Sequence, residues 1–196
     1  MNDFGLYLEI GYKHIASLSA IDHILFVAAL SIRYQFSDWR KLLILVTAFT
    51  IGHSITLALS AFNLVQYSVK WIEFLIPVTI VITAVSNLFV KKFVFKSKFP
   101  LIYFLALFFG LVHGLGFSSY LKSMLGSEHN VVWQLLAFNV GLELGQLLIV
   151  TGILIISFIF VHILKFNRRE YTLMISAGIF ALSLQMAFDR LHPLLN

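Results

Sequence analysis

The chain has no cysteine. Disulfides, thiolate catalysis and Cys-bound metals are thereby excluded. Charged residues are scarce: nine acidic and fourteen basic side chains, 12% of the 196 positions, where a soluble domain carries roughly a quarter. There are three prolines and no Gly/Ser-rich, low-complexity or long polar tract, so nothing reads as a linker. What is abundant is apolar: 60% of the residues are hydrophobic and the mean hydropathy is +0.93. Such a composition takes the lipid bilayer as its solvent.

A spanning helix needs about 20 mostly apolar residues at 1.5 Å each. That ruler predicts helices near 13–33, 41–62, 70–90, 100–120, 131–164 and 170–189. The expected architecture is all-α: one polytopic transmembrane bundle of six helices, with residues 1–196 forming a single integral membrane domain. The fifth segment would be roughly 51 Å long against a hydrocarbon core of about 30 Å. It must tilt, break near Gly141 or Gly145, or start as an interfacial stretch. Asp3 and Glu9 precede the first apolar stretch and no small-residue cleavage site comes after it, so the first helix is expected to be retained rather than removed as a signal peptide.

Basic residues stay on the cytoplasmic side. Ten of them fall in alternate connections, at Arg33, Arg40 and Lys41, at Lys91, Lys92, Lys96 and Lys98, and at Lys165, Arg168 and Arg169. The other side holds four: Lys13, Lys70, Lys122 and Arg190. This alternation predicts that both termini are extracytoplasmic. It also accounts for the net charge of +5 without nucleic acid as a partner.

With that orientation the polar residues can be placed by depth. His14 falls near the outer surface, with Asp22 and His23 roughly 13 to 15 Å deeper. His53 lies about 18 Å and His113 about 19 Å from the inner end of their helices. Asn139, Glu143 and Gln146 share one helix face. An ionisable group at the bilayer centre costs at least about 2.5 kcal/mol and is tolerated when it faces the bundle interior with a partner. His23, His53, His113, Asp22 and Glu143 agree in depth across four helices, so they are expected to form one site open to the outside. Taken singly, each histidine also suits the ordinary role of polar glue between helices. His14, Glu73 and Asp189 lie where water reaches them. His162, and His129 beside Glu128, read as structural.

"AFTIGH" at 48–53 recurs in part as "AFNVGL" at 137–142, an offset of 89, and at an offset of 90 His23 maps onto His113. A 3+3 inverted repeat would place a binding site near the midplane at the repeat interface. Imidazoles and carboxylates without sulfur favour a borderline divalent transition metal such as nickel, cobalt, zinc or iron(II). Neighbours on a helix diverge by about 100°, so of Asp22 and His23 one is expected to ligate while the other orients a histidine from a different helix.

The strings "HIASLSAIDHILF", "FTIGHSITL", "FFGLVHGLGF" and "FNVGLELGQ" resemble signature segments of the HupE/UreJ family of small bacterial membrane proteins, in order and over essentially the whole chain. The resemblance implies a nickel or cobalt permease of the bacterial inner membrane, or an accessory protein with a hydrogenase or urease maturation partner. Carried onto this sequence, the family's motifs fall on His14, Asp22 and His23, on His53, and on His113 and Glu143. One spacing departs: seven residues separate His14 from Asp22, where hydrogenase-linked members have five. On a continuous helix the two extra residues turn His14 by about 200° relative to Asp22.

Two functions of different class fit these residues. One is a facilitator that takes a divalent metal from the outer side into a midplane site. The other is an intramembrane zinc-dependent hydrolase, in which histidines hold the metal and Glu143 or Asp22 activates its water. Few ionisable groups lie between the cluster and the inner surface, which favours the second, while the family resemblance favours the first. A histidine pair ligating haem is a third possibility.

Overall fold

A computed structural model describes residues 3–90, 101–125 and 131–195. Among these residues there is no strand, and seven α-helices make the fold: α1 (Asp3–Ala16), α2 (Ile21–Ser31), α3 (Trp39–Ala61), α4 (Val69–Leu88), α5 (Leu101–Leu125), α6 (Val131–Phe158) and α7 (Arg168–Leu195). The stretches bearing Lys91, Lys92, Lys96 and Lys98, and Glu128 with His129, lie outside the described residues. Five helices are long and apolar enough to cross a membrane, and the bent pair α1 and α2 makes a sixth span when counted as one.

That bend is where the chain departs from the single helix predicted over 13–33. After Ala16 a short turn at Leu18–Ala20 redirects the chain by 70°. The cause is the apolar character of α2, which buries seven of its eleven residues, among them Leu25, Phe26, Val27, Ala29 and Leu30. A helix that is apolar nearly all round belongs in the centre of a bundle, and α2 turns inward to reach it, joining residues of α3 to α7 in the main core cluster. The Asp22 carboxylate accepts the backbone N–H of His23 at 2.9 Å, so it satisfies one of the first-turn donors that a helix start leaves unpaired.

The long helices pair off. α3 and α5 run parallel and nearly touch: a methyl group on Gly52 would lie 2.1 Å from the Leu107 carbonyl oxygen, and one on Gly110 2.2 Å from that of Phe49. α1 and α6 also run parallel, with Gly141 placed 2.0 Å from the Leu8 oxygen and Gly11 2.0 Å from that of Phe138 on the same measure. Small residues allow such backbone approach. α4 and α7 are antiparallel, tied by Lys70 donating to the Pro193 carbonyl at 3.1 Å and Arg190 to that of Glu73 at 3.0 Å. These relative directions are those of six alternating crossings.

The two glycine contacts of α3 and α5 recur in α6 and α1. Gly52 and Phe49 correspond to Gly141 and Phe138 at the offset of 89 read from the sequence, while Gly110 and Leu107 correspond to Gly11 and Leu8. His113 and His14 each stand three residues after the glycine of such a contact. The pairing of His23 with His113 is not the one these contacts obey, because the bend takes His23 out of line with α1.

α6 does not break at Gly141 or Gly145. It runs unbroken from Val131 and widens into a π-helical turn at Ile159–Ile163, giving one span of 33 residues. Both glycines are instead where α1 packs. At the end of α2 opposite the bend, Arg33 donates to Asn87 and Ser86 of α4. Asn87 in turn donates to the Ala29 carbonyl at 2.8 Å, and Arg168 to the Arg33 carbonyl at 2.6 Å. By sequence this half of the bundle is nearly bare of ionisable groups, and these bonds show how its few polar side chains are used.

Candidate metal centre

α1, α2, α3 and α5 each contribute one histidine to a single cluster. On a straight helix the nine residues from His14 to His23 would span about 13.5 Å. The bend folds that distance away, and the two rings stand 4.6 Å apart between centroids. His53 lies 5.9 Å from His14 and 6.4 Å from His23, and His113 lies 5.2 Å from His23. One ring nitrogen from each of His14, His23 and His53 falls within 4.8 Å of the other two. Tetrahedral ligation at about 2.05 Å needs nitrogens roughly 3.3 Å apart, so a modest swing of the rings is what would close the trio on an ion.

The rings are packed largely among apolar side chains. His53 and His113 are fully buried and His23 is 5% exposed. Phe117 packs 3.7 Å from the His14 ring, Phe26 and Phe49 flank His113, and Phe138 stacks on His53. Five ring nitrogens in this setting have no hydrogen-bond partner: His14 Nε2, His23 Nε2, both nitrogens of His53, and His113 Nδ1. Each unpaired buried polar atom costs about 1 to 3 kcal/mol. One nitrogen from each of His14, His23 and His53 converges on one place, as a cation-binding centre requires, since neutral imidazole offers its lone pair to a metal.

Two neighbours decide which nitrogen each ring presents. Asp22 Oδ1 accepts from His23 Nδ1 at 3.0 Å, leaving Nε2 as the lone-pair nitrogen. On α4 the Thr79 hydroxyl donates to the Ile76 carbonyl at 2.6 Å. Having spent its proton there, it accepts from His113 Nε2 at 3.0 Å, which leaves Nδ1 of His113 as the lone pair. Asp22 thus orients its own neighbour rather than a histidine from another helix. At the start of α2 the aspartate turns back on the ring beside it, which a pattern of helix angles does not anticipate.

Access comes from one end. A cavity of about 660 Å³ is lined by His14, Asp22, His23 and His113 and rimmed by Lys13, Glu73, Tyr120 and Arg190. His53 does not line it and lies behind the others in the core. The rim residues share the end of the bundle that carries the fewer basic side chains.

Glu143 stands apart from the trio. Its Oε1 accepts from Thr47 of α3 at 2.7 Å, and Gln146 accepts from Thr50 at 2.7 Å. Thr47 precedes His53 by six residues, about 9 Å along α3. Glu73 and Asp189 are exposed, as is His162, whose ring stacks on Phe158 at 4.9 Å. Thr79, Arg190 and the four phenylalanines are site residues that sequence reasoning missed. Only Thr79 had a visible signal, since a hydroxyl within an apolar helix must bond something.

The fold and the cluster together define a polytopic helical membrane protein with a buried, one-side-open group of histidines. The HupE / UreJ protein family matches residues 1–190, and the chain belongs to that family. No significant match was found among curated proteins or solved structures.

Proposed function

We propose that this chain is a divalent transition-metal transporter, or a metal-delivery accessory protein, of the bacterial cytoplasmic membrane, with nickel or cobalt as its cargo. The observation that carries this reading is the convergence of His14, His23 and His53, with His113 beside them, beneath a cavity open to one end. Positive charge at the opposite end supports assigning the open end to the outside. Metal entering from there meets neutral imidazoles, which bind borderline ions strongly, and Asp22 offsets part of the charge. Family membership supports nickel or cobalt handling as the setting.

Glu143, Thr47, Gln146 and Thr50 supply oxygen ligands between α3 and α6. They lie on the far side of His53 from the cavity and give a cargo ion polar groups to meet after the trio. The hydrolase reading has three histidines and room for a substrate in its favour. The two carboxylates expected to serve as its base are engaged: Asp22 is bonded through both oxygens and Glu143 is bonded to Thr47.

Equilibrium dialysis of purified protein against nickel, cobalt and zinc, then uptake into proteoliposomes, tests the proposal. Saturable binding with flux, both lost in His23→Ala, is the expected result. Absence of any titratable metal would overturn it, and a full site without flux would return the hydrolase to first place.

A further inference from the structure

We propose that Arg190 of α7 is a positioning residue for the metal centre, acting through Asp22 to fix which nitrogen His23 presents. This rests on the metal-binding reading of the histidine cluster. α7 carries no residue of that cluster, and none of the signature segments reaches it.

The chain of contacts starts at a proline. Pro77 lies within α4 and has no N–H, so the carbonyl four residues earlier, that of Glu73, loses its helical partner. Arg190 donates through Nη1 to that carbonyl at 3.0 Å. The guanidinium is a rigid planar fork, and a second nitrogen, Nη2, reaches Asp22 Oδ2 at 3.3 Å. The other oxygen of Asp22 receives both the backbone N–H of His23 and its ring Nδ1. One carboxylate is thus gripped on one side by arginine and delivered on the other to histidine. Nε2 of His23, the nitrogen left without a hydrogen-bond partner, is the one that results.

Each link removes a freedom from the next. Asp22 sits in the first turn of α2, directly after the bend, where its bonds to Arg190 and His23 hold both carboxylate oxygens. Without Arg190 the carboxylate can turn toward the cavity that it lines, and His23 can rotate or change tautomer. Carboxylates that orient metal-bound histidines typically govern 10- to 100-fold in affinity. Arg190 acts one bond further out, so the expected loss is about 10-fold.

The test compares Arg190→Gln, Arg190→Lys and Pro77→Ala with the wild type, using cobalt(II) as the probe. Apparent affinity comes from equilibrium dialysis, ligand geometry from the visible absorption of bound cobalt, and folding from apo-protein melting. Arg190→Gln should bind about 10-fold more weakly with a changed cobalt spectrum, and with only a small fall in apo melting temperature from the lost tie to the Glu73 carbonyl. Arg190→Lys should recover part of the affinity. Pro77→Ala, which returns the Glu73 carbonyl to its helix, should weaken binding in the same direction by less. Unchanged affinity and spectrum in Arg190→Gln would overturn the proposal. So would an affinity loss matched by a fall in melting temperature that lysine does not rescue. If the wild type binds no cobalt, it is the metal-binding reading that fails.

Discussion

His14 and His23 lie nine positions apart in one apolar segment, yet their rings meet at 4.6 Å, edge to face. The 70° turn between α1 and α2 is the reason, and it makes the two histidines a test of a shared site. If both hold the same ion, His14→Ala and His23→Ala should each lower nickel or cobalt affinity at least about 10-fold, while the double variant should lose less than the product. Titration of the four proteins in one double-mutant cycle checks this. Simple multiplication of the two losses would mean that the rings bind independently or not at all.

Thr79 and His113 offer a second check. Thr79→Val keeps the shape and removes the acceptor for His113 Nε2, so a buried N–H loses its partner at a cost of about 1 to 3 kcal/mol. Thr79→Ser should restore the bond and most of the stability. Thermal unfolding in detergent measures the cost, and metal titration of the valine variant shows whether the His113 ring contributes to binding, by an expected loss of up to about 10-fold.

Much of the fold could be read from composition and charge, because the bilayer dictates segment length and leaves few choices for the backbone. The co-location of Asp22, His23, His53 and His113 was legible for the same reason: a shared depth restricts which residues can meet. The bend was not, since "ASLSA" carries no proline or glycine, and the force that turns α2 inward is burial against helices remote in sequence. That is why His14 looked rotated away and joins the trio instead. Glu143 shares the depth but sits on the face of α6 toward Thr47, and depth alone does not specify a face. Arg190 escaped notice because a rim cation reads as solvated until Pro77 and the open Glu73 carbonyl are seen beside it.

The glycine contacts predict a sharp contrast. A methyl group at Gly52, Gly110, Gly11 or Gly141 meets a carbonyl oxygen of the paired helix at 2.0 to 2.2 Å, and backbone cannot yield as a side chain does. Alanine at any of these positions should lower stability by about 1 to 3 kcal/mol or more, up to preventing folding. Gly152→Ala and Gly178→Ala, where nothing lies within 4 Å, should be neutral or stabilising by up to about 1 kcal/mol. Expression and melting of the six variants decide it.

Acid should weaken the metal centre. A proton and a metal compete for the same imidazole lone pair, so binding releases protons from any ligand that carries one, and affinity falls as pH is lowered. Acidification deep enough to protonate a ligand ring should therefore reduce cobalt occupancy at fixed total metal, and restoring the pH should recover it without refolding. Absorption of the bound ion tracks the first change, and apo melting at each pH separates ligand protonation from loss of structure.

Glu143→Gln separates transport from the rest. The variant keeps an acceptor for Thr47 and nearly the same volume, and Glu143 lies outside the group of nitrogens within 4.8 Å of one another. Affinity at the histidines should therefore fall less than uptake does, since the substitution removes a charge but no ligand of that group. Flux is a different matter. If the oxygens between α3 and α6 form the next station for the cargo, proteoliposome uptake should fall at least about 10-fold, because an ion leaving imidazole nitrogens needs a favourable neighbouring site. Equal loss of binding and uptake would instead make Glu143 part of the primary site, reached only after a rearrangement of α6. Undiminished uptake would remove it from the path altogether and shift attention to backbone carbonyls as the route onward.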